Sequence, residues 1–210
     1  MRHQATVIAL ILLAAAAVVV WAPSASARPG FYEVVLEGGA SLPQGDLGDS
    51  FDQPAGFAAD TGYEVGFRFR SRWPNGWSLA PAFHYVHFGK NTGFIDEVTS
   101  FEGAGSIFEY GVDFQYFFPA SRNQPQFYVT VGAALTHNRY REEYSDDDWF
   151  EEAVNTLGGS AGIGVKVGDL EFSALYHLNR FDTQTFFPGS EDYDWDWVSV
   201  RVGVALPRMY

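Results

Sequence analysis

From Phe31 to the C-terminus, apolar and polar residues alternate with a period of two, which marks half-buried β-strands and not helices. In segment 31–41, Tyr32, Val34 and Leu36 oppose Glu33, Val35 and Glu37. Segment 62–70 sets Tyr63, Val65, Phe67 and Phe69 against Glu64, Gly66, Arg68 and Arg70. Segment 77–88 sets Leu79, Phe83 and Tyr85 against Ser78, Ala80, Ala82 and His84. Segment 106–118 is the clearest, with Phe108, Tyr110, Val112, Phe114 and Tyr116 opposite Glu109, Gly111, Asp113 and Gln115. The pattern continues through 127–138, 157–167, 170–179 and 197–206, so it predicts eight strands.

Connections of two kinds alternate between these segments. Residues 42–61, 89–105, 139–156 and 180–196 are long, whereas 71–76 (ending Pro74-Asn75-Gly76), 119–126 and Gly168-Asp169 are short. That rhythm predicts an antiparallel up-and-down meander whose two ends face different surroundings.

The two faces differ in chemistry. The aromatic face carries no Asp, Glu, Lys or Arg, whereas the other carries Glu33, Glu37, Glu64, Arg68, Arg70, Glu109, Asp113, Lys166, Glu171 and Arg201. The interior of an eight-stranded barrel is just wide enough for side chains to fill it. The Phe and Tyr rings would overfill that space, while the Gly, Ser and Ala of the opposite face, with paired charges, fit it. The rings therefore point outward, toward something large and apolar. Hydrocarbon meets that need, because a closed barrel is one of two backbone forms that cross it fully hydrogen-bonded. The expected fold is an all-β, eight-stranded antiparallel up-and-down transmembrane β-barrel. Its expected lipid-facing residues are Phe67, Phe69, Phe108, Tyr110, Phe114, Tyr116, Phe172 and Tyr176. Trp73 and Trp77 at one end, and Trp195 and Trp197 at the other, are expected to form interfacial girdles.

The composition agrees with a membrane chain. Of 210 residues, 17% are aromatic and 19% charged, which excludes intrinsic disorder. The absence of cysteine removes disulfides and thiolate chemistry. Arg2, the apolar run 5–20 and Ala25-Ser26-Ala27 read as a secretory signal peptide over 1–27, leaving 28–210 as one barrel domain. Removing Arg2 with that segment leaves 12 basic against 26 acidic residues, a balance that excludes nucleic acid as a partner.

Taken together, these features resemble the small eight-stranded outer-membrane β-barrels, the group of the OmpA-type membrane domain and OmpX. The resemblance covers the mature chain. It implies the outer membrane of a Gram-negative-type bacterium, with lipids including lipopolysaccharide as surroundings. It also implies the outer-membrane assembly machinery as a partner, reading a last strand of Val198, Val200, Val202, Val204 and Leu206 that ends at Tyr210.

Inside the barrel, Glu37, Glu64, Arg68, His84, Glu109, Asp113 and Arg201 are expected to form a polar network that replaces an apolar core. Glu37 and Arg201, on the first and last strands, are expected to meet on closure. Gly158-Gly159-Ser160-Ala161-Gly162 matches a nucleophile elbow, but it lies in a strand pattern with no following helix. His84 and His87 fall on opposite strand faces and cannot share a metal. The acidic stretch 141–152 reads as a solvated rim without cation-loop spacing. No catalytic residue, metal site or cofactor is assigned.

The expected function is a non-enzymatic structural or surface-recognition barrel, contacting an extracellular ligand through four long loops that carry Phe51, Phe57, Phe94, Phe101, Trp149, Phe150, Phe186 and Phe187. The alternatives are a narrow small-solute pore, a lipid-modifying barrel enzyme, and a secreted β-sandwich or lipocalin-like binder. For the enzyme, no Ser, His and acid are found at a compatible register.

Overall fold

The computed structural model describes residues 31–48, 59–89, 91–94, 100–121, 124–144, 149–182 and 192–206. Residues 1–27 and Tyr210 lie outside this set, as do Phe51, Phe57, Phe186 and Phe187. No described helix is long and apolar enough to cross a membrane.

The described residues form ten strands: β1 (Phe31–Pro43), β2 (Asp60–Arg72), β3 (Trp77–Gly89), β4 (Asn91–Phe94), β5 (Ser100–Phe117), β6 (Gln126–Tyr144), β7 (Trp149–Val167), β8 (Leu170–Asp182), β9 (Asp192–Asp194) and β10 (Trp197–Ala205). Two of them are continuations. β4 prolongs β3 along β5, and β9 prolongs β10 along β8. The other eight pair antiparallel in the order β10-β1-β2-β3-β5-β6-β7-β8, and β8 pairs with β10 to close the ring. The result is an eight-stranded all-antiparallel barrel. Closure with the aromatic face outward excludes the two-layer β-sandwich.

The meander is held by local chemistry. The turns at Gly76 and Gly168 use positive φ (90° and 62°), the left-handed region that glycine enters without a Cβ penalty. Pro81 sits outward in β3. Beside it the β2–β3 ladder lacks two pairs, between Arg68↔Ala82 and Ser71↔Leu79, while the register stays unchanged. A missing N–H explains an interruption without a slip.

Three expectations need correction. β5, β6 and β7 run well past the predicted strand ends, so 139–144 and 149–156 of the expected loop are paired strand, and 145–148 lie outside the described residues. Alternation continues through His137, Arg139 and Arg141, although the acids nearby read as a loop. Phe94, Phe101, Trp149 and Phe150, expected in loops, therefore fall within strands. Finally, Trp195 and Trp197 form no girdle; both point inward and are buried (0% and 1% exposed), while Trp77 alone of this set is clearly outward.

Candidate functional site

The barrel interior is filled in layers. At the end carrying the short turns, Arg70 lies at the centre of the hydrogen bonding. Its Nη1 donates to Glu33 (3.1 Å), its Nη2 to Glu171 (2.7 Å) and its Nε to Gln115 (2.8 Å). Lys166 donates to Glu33 (2.9 Å) and Glu171 (3.3 Å), and Arg72 stacks its guanidinium 4.1 Å over the Phe117 ring. One layer further in, Arg68 bonds Glu37 through Nε and Glu171 through Nη2 (3.4 Å), and its Nη1 lies 3.7 Å from Asp113.

Glu109 links this layer to the next. One of its oxygens is 3.3 Å from His84 Nδ1 and the other 3.1 Å from His177 Nδ1. Arg201 donates to Glu64 (2.5 and 3.2 Å) and to His177 Nε2 (3.1 Å). A guanidinium can only donate, so His177 Nε2 accepts and the ring proton sits on Nδ1, directed at Glu109. Ser199 Oγ is 2.9 Å from the same Nε2, and the Trp197 ring stacks on the imidazole at 4.3 Å.

The loop end is sealed differently. Asn179 donates to Asn138 (2.7 Å), Thr136 donates to Asn179 (3.0 Å), and Asp196 accepts from the Asn179 N–H (3.0 Å) and the Tyr176 hydroxyl (2.7 Å). Above and beside these, Val86, Phe88, Ile107, Tyr140, Trp195 and Trp197 pack with Leu47, which a 3-10 turn over Gly45–Leu47 brings in from the β1–β2 connection. The lumen therefore runs from an ion network at the turn end to an apolar cap at the loop end. A polar recess of about 350 Å³, lined by Glu33, Arg72, Trp73, Gln124, Gln126 and Lys166, opens at the turn end.

Glu37, Glu64, Arg68, His84, Glu109, Asp113 and Arg201 are all buried inside the barrel. The partners differ from expectation in one respect. Glu37 bonds Arg68 and not Arg201, which reaches Glu64 and His177 instead. Arg70, Glu171 and His177 were not among the named site residues, although their strand parity placed them on the lumen face and they tie the layers together. The expected outward residues Phe67, Phe69, Tyr110, Phe172 and Tyr176 are exposed, and Phe108, Phe114 and Tyr116 are half-buried against neighbouring rings.

A second correction concerns catalysis. Ser199, His177 and Glu109 do come together in the order hydroxyl–imidazole–carboxylate, although no such trio was found at a compatible register. Ser199 and His177 stand on the paired strands β10 and β8, and only Glu109 of β5 joins them across the lumen, a contact that strand register alone does not reveal. Ser199 is 0% exposed, Arg201 occupies the imidazole nitrogen that a general base would use, and Trp197 covers the ring. This arrangement holds His177 in place and offers a substrate no approach. Ser160 lies within β7, not on a strand-to-helix turn. Among the described residues, no group of three or more His, Asp or Glu is arranged to hold a metal.

A closed eight-stranded meander, charged within and apolar without, is the architecture of the small outer-membrane β-barrels. No protein-family model matches the chain, and no curated protein matches its sequence. Solved structures similar in fold include Ail, the attachment invasion locus protein of Yersinia pestis (13% identity, 87% of this chain and 100% of that one, TM-score 0.48). Another is Neisserial surface protein A (17%, 86% and 98%, TM-score 0.43). A third is the N-terminal β-barrel domain of Pseudomonas aeruginosa OprF (13%, 86% and 100%, TM-score 0.46).

Proposed function

We propose that the chain is a non-enzymatic integral protein of the bacterial outer membrane whose loop end serves a structural or recognition role. One observation carries the reading: the outward positions of the barrel wall form a continuous apolar belt. In it Val131 is 56% exposed, Ile163 66% and Tyr110 53%, while at the same level Glu109 and Asp113 of β5 and Lys166 of β7 turn inward. Water would make such a surface an aggregation hazard, whereas hydrocarbon makes it the favourable side. On this reading residues 1–27 are removed on export, and the assembly machinery receives a last strand ending at Tyr210. Lipopolysaccharide and phospholipid surround the belt, and an extracellular ligand meets the loops.

Cell fractionation tests it. The mature chain should partition with outer membranes and migrate faster in an unheated gel than in a heated one, and surface protease should cut at 145–148. Recovery as a soluble periplasmic protein would overturn the reading.

A further inference from the structure

On β6 the apolar belt ends at Leu135, and the next three outward positions are His137, Arg139 and Arg141. Both arginines are exposed, in a chain with twice as many acids as bases. Their β5 flank is low, since Ser106 and Ala104 pair with Arg139 and Arg141. On β7, Ala153 pairs with Arg139 and Glu151 with Arg141. Below them lies an aromatic floor, where Phe108 pairs with His137 and its ring lies tilted 4.9 Å from that of Tyr85. His137 is fixed by Asn155 at 2.9 Å, and Glu151 reaches Arg139 at 2.6 Å. The basic row thus stands at the loop-side edge of the belt, beside small side chains on β5 and directly above half-buried rings.

We infer that His137, Arg139 and Arg141 form a docking site for the phosphate of a phosphorylated glycolipid in the surrounding leaflet, with its acyl chains lying down the belt over Leu135, Phe108 and Tyr85. The inference rests on the outer-membrane reading above. Guanidinium groups match phosphate oxygens in geometry, and a basic residue near an anionic bilayer surface contributes about 1 kcal/mol, or roughly fivefold in affinity. Glu151 is the internal competitor for Arg139, so the site's strength depends on which acceptor Arg139 holds.

The test uses the mature chain folded into phosphatidylcholine vesicles doped with bis-phosphorylated lipid A or its dephosphorylated form, with lipid retention read by native mass spectrometry. Wild type should retain the phosphorylated form preferentially. R139Q/R141Q should lower that preference about fivefold per arginine, and E151Q should raise it. Gel mobility before and after heating confirms that each variant is a folded barrel. Equal retention by wild type and R139Q/R141Q, or no change in E151Q, would overturn the site, as would full displacement by inorganic phosphate. A wild-type chain that never enters vesicles would instead overturn the membrane reading.

Discussion

Arg70 and Glu171 join across the barrel lumen with two parallel hydrogen bonds, Nη1 to Oε1 at 2.5 Å and Nη2 to Oε2 at 2.7 Å. In the wall, β2 and β8 are separated by β1 and β10, so this pair braces strands that share no ladder. Both residues are buried, and Glu171 also accepts from Arg68 and Lys166. Removing one partner of a buried pair leaves a charge uncompensated, which costs about 3–5 kcal/mol. Glu171→Leu should lower unfolding free energy by that order. The double variant Arg70→Met/Glu171→Leu should recover part of it, because no unpaired charge remains from the brace. Urea titration of the folded barrel in vesicles reads the difference.

The outward belt makes a contrasting prediction. Val131 is a mid-belt position on β6, flanked in register by Phe114 and Ala161, and Ala153 lies beyond the belt edge on β7. A cation at the bilayer midplane costs about 2–4 kcal/mol, falling to roughly 0–1 near the interface. Val131→Arg should therefore destabilise by several kcal/mol in vesicles and Ala153→Arg scarcely at all. If the two variants unfold at the same urea concentration, the belt does not face hydrocarbon.

Much of this was legible in the chain because strand parity is a local property. The face of every barrel strand follows from alternation, which is why the Glu37, Arg68 and Glu109 set was found as a group. Pairing across a lumen depends instead on strand tilt and stagger, which alternation does not encode. Glu37 therefore bonds Arg68 and not Arg201, and Glu109 joins His84 to His177, pairings that only the closed barrel reveals. Trp195 and Trp197 are a different case. They share parity with Ser199 and Arg201, so their inward direction was readable, but the usual preference of tryptophan for the interface pointed the other way.

Tyr128 and Gly164 are Cα partners across the β6–β7 ladder, and the buried Tyr128 ring lies over the space a Cβ would take at Gly164. The Tyr128 ring also packs, tilted, against Phe117 with centroids 4.8 Å apart, so it has little room to retreat. Gly164→Ala should cost about 1–3 kcal/mol, the range for overpacking a filled interior. Gly168→Ala meets nothing within 4 Å but keeps a φ of 62°, so its cost is backbone strain of about 1 kcal/mol. Restoring space with Gly164→Ala/Tyr128→Phe should not relieve the first penalty if the ring itself obstructs. Tyr128→Leu in the same background should relieve it.

The lumen also bears on conduction. A gate built from one ion pair would open when Arg201 is truncated, since Arg201 holds Glu64 and His177 together on the lumen side of β10. The geometry gives Arg201 no such control. Nearer the loop end, the apolar cap of Phe88, Ile107, Tyr140, Trp195 and Leu47 closes the passage with groups that Arg201 does not hold. Toward the turn end, Arg70, Lys166, Glu33 and Glu171 bridge the interior independently. Arg201→Ala should thus leave Glu64 buried without its partner and lower stability by about 3–5 kcal/mol. Single-channel current across a planar bilayer should stay at the wild-type level. A new conductance in Arg201→Ala would show that this one guanidinium gates a continuous path, and that the cap and the turn-end network do not block it.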